Sequence, residues 1–109
     1  MRLSDYQLQA RSTACYPTDG DTPFAYLALG LAGEAGEVAN KVKKVIRRRG
    51  KFDEAEKTAI AEELGDVLWY LSGLAWEFGI SLDSIAEDNL SKLQSRKERG
   101  TIEGNGDNR

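Results

Sequence analysis

Gly33-Glu34-Ala35-Gly36-Glu37 and Glu62-Glu63-Leu64-Gly65-Asp66 are the two stretches on which the reading of this chain turns. They pair Glu34 with Glu37 and Glu63 with Asp66, each at i,i+3, so on a helix both carboxylates of a pair project from one side. The basic stretch between them contains Arg47-Arg48-Arg49-Gly50-Lys51, a helix end followed by a turn. Two antiparallel helices joined there bring the pairs face to face. Four facing carboxylates repel unless a cation lies between them. With no histidine and one cysteine in the chain, the fitting cation is a hard divalent ion that takes oxygen ligands, Mg²⁺ or Mn²⁺.

Working outward, Thr22-Pro23 has the form of an N-cap with proline at the first helical position, opening a long helix to about Arg48. Leu27, Leu31, Val38, Val42 and Val45 form its apolar stripe. At about 100° per residue Glu34 falls within about 20° of that stripe, and Glu37 on its flank beside Lys41. A glutamate aimed at a core costs several kcal/mol unless it is paired or ligates a metal. Gly30, Gly33 and Gly36 weaken the same turns, which suits close approach of another helix or a ligand.

Asp53 can cap a third helix to about Phe78. Ile60, Leu64, Val67, Leu68, Leu71, Leu74, Ala75 and Phe78 cover a broad face, while Trp69 and Trp76 lie away from it. The tryptophans suit a core or interface, or else a base-binding pocket. Glu63, Asp66 and Tyr70 share a third strip. A helix apolar on nearly all sides is buried on nearly all sides, and so short a chain cannot do that alone. A dimer or tetramer is therefore expected. Ser81 caps a fourth helix to about Glu98, with Leu82, Ile85, Ala86, Leu90 and Leu93 on its apolar side and Asn89 in their midst. Lys92 and Arg96 flank it. A buried asparagine needs partners, which backbone or a ligand could supply equally. A first helix is expected from Ser4, as N-cap, to about Ala14, followed by a loop over residues 16–22. The fold class is all-α, a bundle of about four helices completed by oligomerisation. A single domain is expected over residues 1–100, with its motif core at 24–100. The tail 101–109 lacks apolar content and is expected to be disordered.

At 109 residues the chain is one domain long. Its net charge of −3 argues against coating a nucleic-acid polymer, which needs a basic footprint. Cys15 has no partner for an internal disulfide, in keeping with a reducing cytoplasm. No run of about 18 apolar residues exists, and Met1-Arg2-Leu3-Ser4-Asp5 is no signal peptide, so a cytoplasmic protein without a membrane partner is expected.

The constellation suits metal-assisted hydrolysis of a phosphoanhydride. Ions held by the four carboxylates would neutralise a polyphosphate and acidify a water, with one carboxylate or Glu62 as general base. Lys92, Asn89 and Lys51 would bind phosphate oxygens. A ferritin-like di-iron site would need Glu-x-x-His pairs, which are missing.

Leu29-Gly30-Leu31-Ala32-Gly33-Glu34-Ala35-Gly36-Glu37-Val38, followed by Glu62-Glu63-Leu64-Gly65-Asp66-Val67-Leu68-Trp69-Tyr70, resembles the MazG family of nucleoside triphosphate pyrophosphohydrolases. Asn89-Leu90-Ser91-Lys92-Leu93, with Arg96 and Gly100 after it, resembles the family's fourth-helix signature. The resemblance implies Mg²⁺-dependent hydrolysis of a (deoxy)nucleoside triphosphate to monophosphate and pyrophosphate. It implies metal ligands at Glu34, Glu37, Glu63 and Asp66, phosphate contacts at Asn89 and Lys92, and a nucleotide-bordering position at Tyr70. It also implies dimers or tetramers whose sites use more than one chain. Alternatives are the same fold acting on dUTP, dCTP or phosphoribosyl-ATP, or a non-catalytic helical module whose carboxylates pair with Lys41 and Lys44.

Overall fold

The computed structural model describes residues 1–109 as four α-helices and one short 3-10 turn. Helix α1 is Leu3–Ala10, α2 is Thr22–Arg47, α3 is Glu54–Glu77 and α4 is Leu82–Arg99. There is no strand, as the all-α reading requires. Two caps act as the sequence indicates. The Asp53 carboxylate accepts the Glu56 N–H at 2.8 Å, and Ser81 Oγ accepts the Ser84 N–H at 3.1 Å. Loss of either would cost about 1 kcal/mol.

Other boundaries shift. Asp21, not Thr22, is the N-cap of α2, because the Thr22 hydroxyl turns back to Asp19 Oδ2 at 3.3 Å. Ser4 lies inside α1 and does not cap it; its hydroxyl donates to Asp83 Oδ2 at 2.6 Å, tying α1 to the start of α4. Helix α1 stops at Ala10 and tightens into the 3-10 turn Arg11–Thr13, short of the expected Ala14.

The α2/α3 hairpin is the body of the molecule. Leu27 of α2 is fully buried against Gly73 of α3, where an added Cβ would lie 3.1 Å from the leucine Cδ2. Three residues on, the Tyr70 ring lies against Gly30, where a Cβ would sit 2.1 Å from Cε1. The hairpin's far end is joined by ion pairs from Lys41 to Glu63, at 3.4 Å, and from Arg48 to Glu56.

Helix α1 fastens this hairpin to α4 through buried Gln7. Its amide nitrogen donates to the carbonyls of Ser72 (3.3 Å) and Ile80 (2.9 Å), and its oxygen accepts the Leu82 N–H (3.0 Å). One side chain thus bonds backbone groups of α3, of the turn after it, and of the start of α4, where a helix leaves its first N–H groups unpaired.

Helix α4 packs on α1 and leans away from the hairpin, and this overturns two expectations. Asn89 is exposed, as is Leu90 at 67%, so the apolar side of α4 is uncovered there, while Leu82 is buried and Ile85, Ala86 and Leu93 are half-buried. Arg96, expected on the flank, is buried at 3% exposure. Nor is α3 covered on all sides within one chain: Leu64, Trp76 and Phe78 are exposed, and only Ser72, Gly73 and Ala75 are buried. The radius of gyration is 16.8 Å, against about 13 Å for a compact chain of this size. Residues 101–109 lie in turns alongside α4.

Candidate active site

Helices α2 and α3 each contribute carboxylates at the middle of the hairpin. One oxygen from each of Glu34, Glu63 and Asp66 lies within 4.8 Å of the others. Glu34 and Glu63 are half-buried and Asp66 is exposed, so the cluster opens to solvent on one side. Desolvation raises the Glu34 carboxyl above its ordinary range; a hydrogen bond with Glu63 and the charges of Asp66, Glu63 and Glu37 push it further the same way. Lost hydration leads and like charge adds to it, as expected of carboxylates packed close together. Lys41 answers only part of it, from the Glu63 side.

The donor set is all oxygen. No histidine exists, and the single cysteine lies in the loop after the 3-10 turn. Three or four carboxylates with open space beside them match a hard divalent cation that keeps waters and meets phosphate. They do not match the nitrogen and sulfur sites that favour zinc.

Glu37 lies one turn beyond Glu34 and is exposed, outside the three-carboxylate cluster though its charge acts on Glu34. Glu62 is exposed, on the turn beside Glu63. Lys51 is exposed in the turn between α2 and α3. Tyr70, one turn past Asp66, has its hydroxyl raised by burial first, then by Tyr26 and the charges of Glu34 and Asp66. Its ring centroid is 6.3 Å from that of Tyr26 and 5.0 Å from that of Trp69, and Tyr16 stacks on Tyr26 at 5.8 Å. An aromatic wall therefore borders the acidic cluster. Tyr26 was legible in principle, since Tyr26, Gly30 and Glu34 recur at i,i+4 on one helix face.

Asn89 and Lys92 are elsewhere. They line a cleft with Ile80, Ile85 and Asp88, and Asn89 also borders an apolar groove of about 230 Å³ with Leu68 and Leu71. Asp66 and Leu68 project about 160° apart around α3 at 100° per residue. Within one chain, then, neither the cleft nor the groove at Asn89 and Lys92 includes a carboxylate of the Glu34/Glu63/Asp66 cluster. Lys92 and Arg96 both meet Asp107 of the tail, at 3.2 and 3.3 Å.

Comparison with known proteins places these features. Gene 37 protein of Mycobacterium phage L5 is 46% identical over 114 residues, covering all of both chains. The uncharacterized protein YvdC of Bacillus subtilis (strain 168) is 35% identical over 74 residues, 62% of this chain and 70% of its own. No solved structure gives a significant match. The model of the MazG nucleotide pyrophosphohydrolase domain matches residues 23–101, a span that opens with α2, holds both acidic pairs and closes just past α4. With most of its length so matched, and with carboxylates of both pairs converging on one hairpin, the chain belongs to the MazG nucleotide pyrophosphohydrolase domain family.

Proposed function

We propose that this protein hydrolyses (deoxy)nucleoside triphosphates to the monophosphate and pyrophosphate, using Mg²⁺, with Mn²⁺ as a substitute. The observation that carries the reading is the convergence of Glu34, Glu63 and Asp66 within 4.8 Å in a chain of this family. Glu34, Glu37, Glu63 and Asp66 would hold the metal. When bound, it would supply charge neutralisation for the triphosphate and a water of lowered pKa. The water oxygen bonds to Pα, the bridge from Pα to the β-phosphate oxygen breaks, and pyrophosphate departs with that oxygen. The proton lost by the water goes to a carboxylate of the cluster or to Glu62, since no histidine is available. Asn89, Lys92, Arg96 and Lys51 bind phosphate oxygens, and Tyr70 borders the nucleoside.

Because Asn89 and Lys92 stand apart from the acidic cluster of their own chain, a second copy would bring its α4 to that cluster. The assembly is a homodimer or homotetramer. Surface area supports this: the chain exposes 7793 Å², against about 6,000 Å² for a compact monomer of its mass. An excess of that order exceeds the roughly 800 Å² that each partner gives to a standard interface. Exposed Leu64 and Leu90 are apolar surface of the kind such an interface covers. No helix is long and apolar enough to cross a membrane, and we place the protein in the cytoplasm.

The non-catalytic reading, in which the carboxylates serve only as ion-pair partners, is less well supported: among the three clustered carboxylates only Glu63 has a lysine, Lys41. The test is product analysis by phosphorus NMR across standard and modified nucleoside triphosphates, dUTP, dCTP and phosphoribosyl-ATP included. Mg²⁺-dependent appearance of monophosphate with pyrophosphate bears the proposal out. Diphosphate with inorganic phosphate, or no reaction with any of them, overturns it.

A further inference from the structure

The segment after α4 folds back on the basic face of its own helix. Gly100 ends α4 in the left-handed region at φ 72°, and the Thr101 N–H donates to the Arg96 carbonyl at 2.8 Å. Six residues on, Arg96 Nη2 donates to the Asp107 carbonyl (2.9 Å), the Gly106 carbonyl (3.4 Å) and Asp107 Oδ1 (3.3 Å). Lys92 Nζ reaches the same Oδ1 at 3.2 Å. Arg109 closes the turn by donating to the carbonyls of Thr101 (3.1 Å) and Ile102 (3.0 Å), and Arg99 donates to the Arg109 carbonyl at 2.9 Å. Gly106 sits at φ 78°, which favours glycine, and a Cβ on Gly104 would lie 2.6 Å from Arg109 Cδ.

Two features of this turn concern function. Asp107 is held ionised, its carboxyl lowered by hydrogen bonds from Lys92 and then Arg96. Arg96 is 3% exposed, yet its Nε–H is buried without a partner. The tail therefore covers a cationic site while satisfying it incompletely.

We propose that the C-terminal segment is an autoinhibitory strap, in which Asp107 occupies the Lys92/Arg96 anion site that substrate phosphates must take. The inference rests on the reading of α4 as the phosphate-binding helix. One carboxylate is a weak mimic of a polyphosphate, which carries more charge and enough oxygens to reach the Nε–H as well. Tethering offsets that weakness, because a short linker presents its ligand at an effective concentration of order millimolar. A strap closed about 70–90% of the time would weaken apparent phosphate affinity roughly 3- to 10-fold.

The full chain carrying Asp107→Asn removes the competing charge. Gly106→Val destabilises the turn through its positive φ without touching any charge. Inorganic pyrophosphate is the probe, titrated calorimetrically, while ¹⁵N relaxation follows the amides of residues 101–109. Both variants should bind pyrophosphate about 3- to 10-fold more tightly than the parent. Pyrophosphate should set the parent's tail amides in fast motion, and KM for nucleotide should fall in the variants with kcat unchanged. Equal affinity in parent and both variants would overturn the strap, as would tail amides already in fast motion before the probe is added. Absence of binding to all three proteins would overturn the anion site. Tail release with tighter pyrophosphate binding, but no hydrolysis by any form, would support the strap and overturn the pyrophosphohydrolase reading.

Discussion

Replacing Gly30 by alanine tests the hairpin that carries the site. The Cβ of Gly30→Ala would lie 2.1, 2.4 and 2.6 Å from Cε1, Cδ1 and Cζ of Tyr70, so it meets the flat edge of a ring and no flexible chain end. Either Tyr70 leaves its rotamer or α2 moves off α3. Overpacking of this kind costs about 1–3 kcal/mol, and three overlapping atoms put this case near the upper end. Alanine returns about 1 kcal/mol of helix propensity. The net expectation is a loss of about 2 kcal/mol, or roughly 8–16 °C in Tm for a domain of this size. Gly33→Ala is the control, because nothing lies within 4 Å of its Cβ; alone it should gain up to about 1 kcal/mol. Thermal and urea unfolding at matched protein concentration measure both, since assembly makes Tm concentration-dependent. The double change Gly30→Ala with Tyr70→Leu should recover much of the loss, as residues in contact do not act additively. A Gly30→Ala protein as stable as its parent would refute the close approach of α2 and α3 beside the carboxylates.

Three further outcomes follow from the electrostatics and the uncovered faces. Glu34 has a raised carboxyl in the folded chain, so its protonation contributes stability that is present below its ordinary pKa of 4.5 and is lost as pH climbs through the raised value. In chelator, Glu34→Gln should therefore be more stable than the parent at neutral pH, with the gap closing below about pH 4.5; a pH series of urea midpoints reads this. Mg²⁺ at 100 times its dissociation constant should stabilise the parent by about 2.7 kcal/mol, and Asp66→Asn should lose most of that gain in the same thermal scan. Leu64→Asp places a charge on an exposed leucine of α3 and should shift the sedimenting species toward monomer; an unchanged oligomer would show that this face is not the interface.

Much of this architecture was legible in local chemistry. Asp53 and Ser81 cap the helices they precede, and the i,i+3 spacing with a turn between suffices to bring Glu34 to Glu63 and Asp66. Glu37 stays outside that cluster because one helical turn along α2 carries it toward solvent. What periodicity could not reveal is tertiary partnership. Gln7 reads as an unremarkable polar residue of a weakly patterned helix, yet its side chain fastens three segments by hydrogen bonds to their backbone that form only once the chain folds. Asn89 and Leu90 fall on the apolar arc of α4, but an arc says only that something should cover it, and within one chain these two stay exposed while Leu82 is buried. Arg96 is buried by a tail whose composition alone suggests no structure; its glycines make that turn possible.

The central claim is that carboxylates of α2 and α3 form the metal-dependent centre of a nucleotide pyrophosphohydrolase. It is tested most directly by comparing pyrophosphate release from the parent's best nucleoside triphosphate, in Mg²⁺ and in chelator, with release by Asp66→Asn and Glu37→Gln proteins of unchanged helicity. The account predicts Mg²⁺-dependent release by the parent and its loss in both variants. Near-normal turnover by either variant, or release by the parent that persists in chelator, would contradict it.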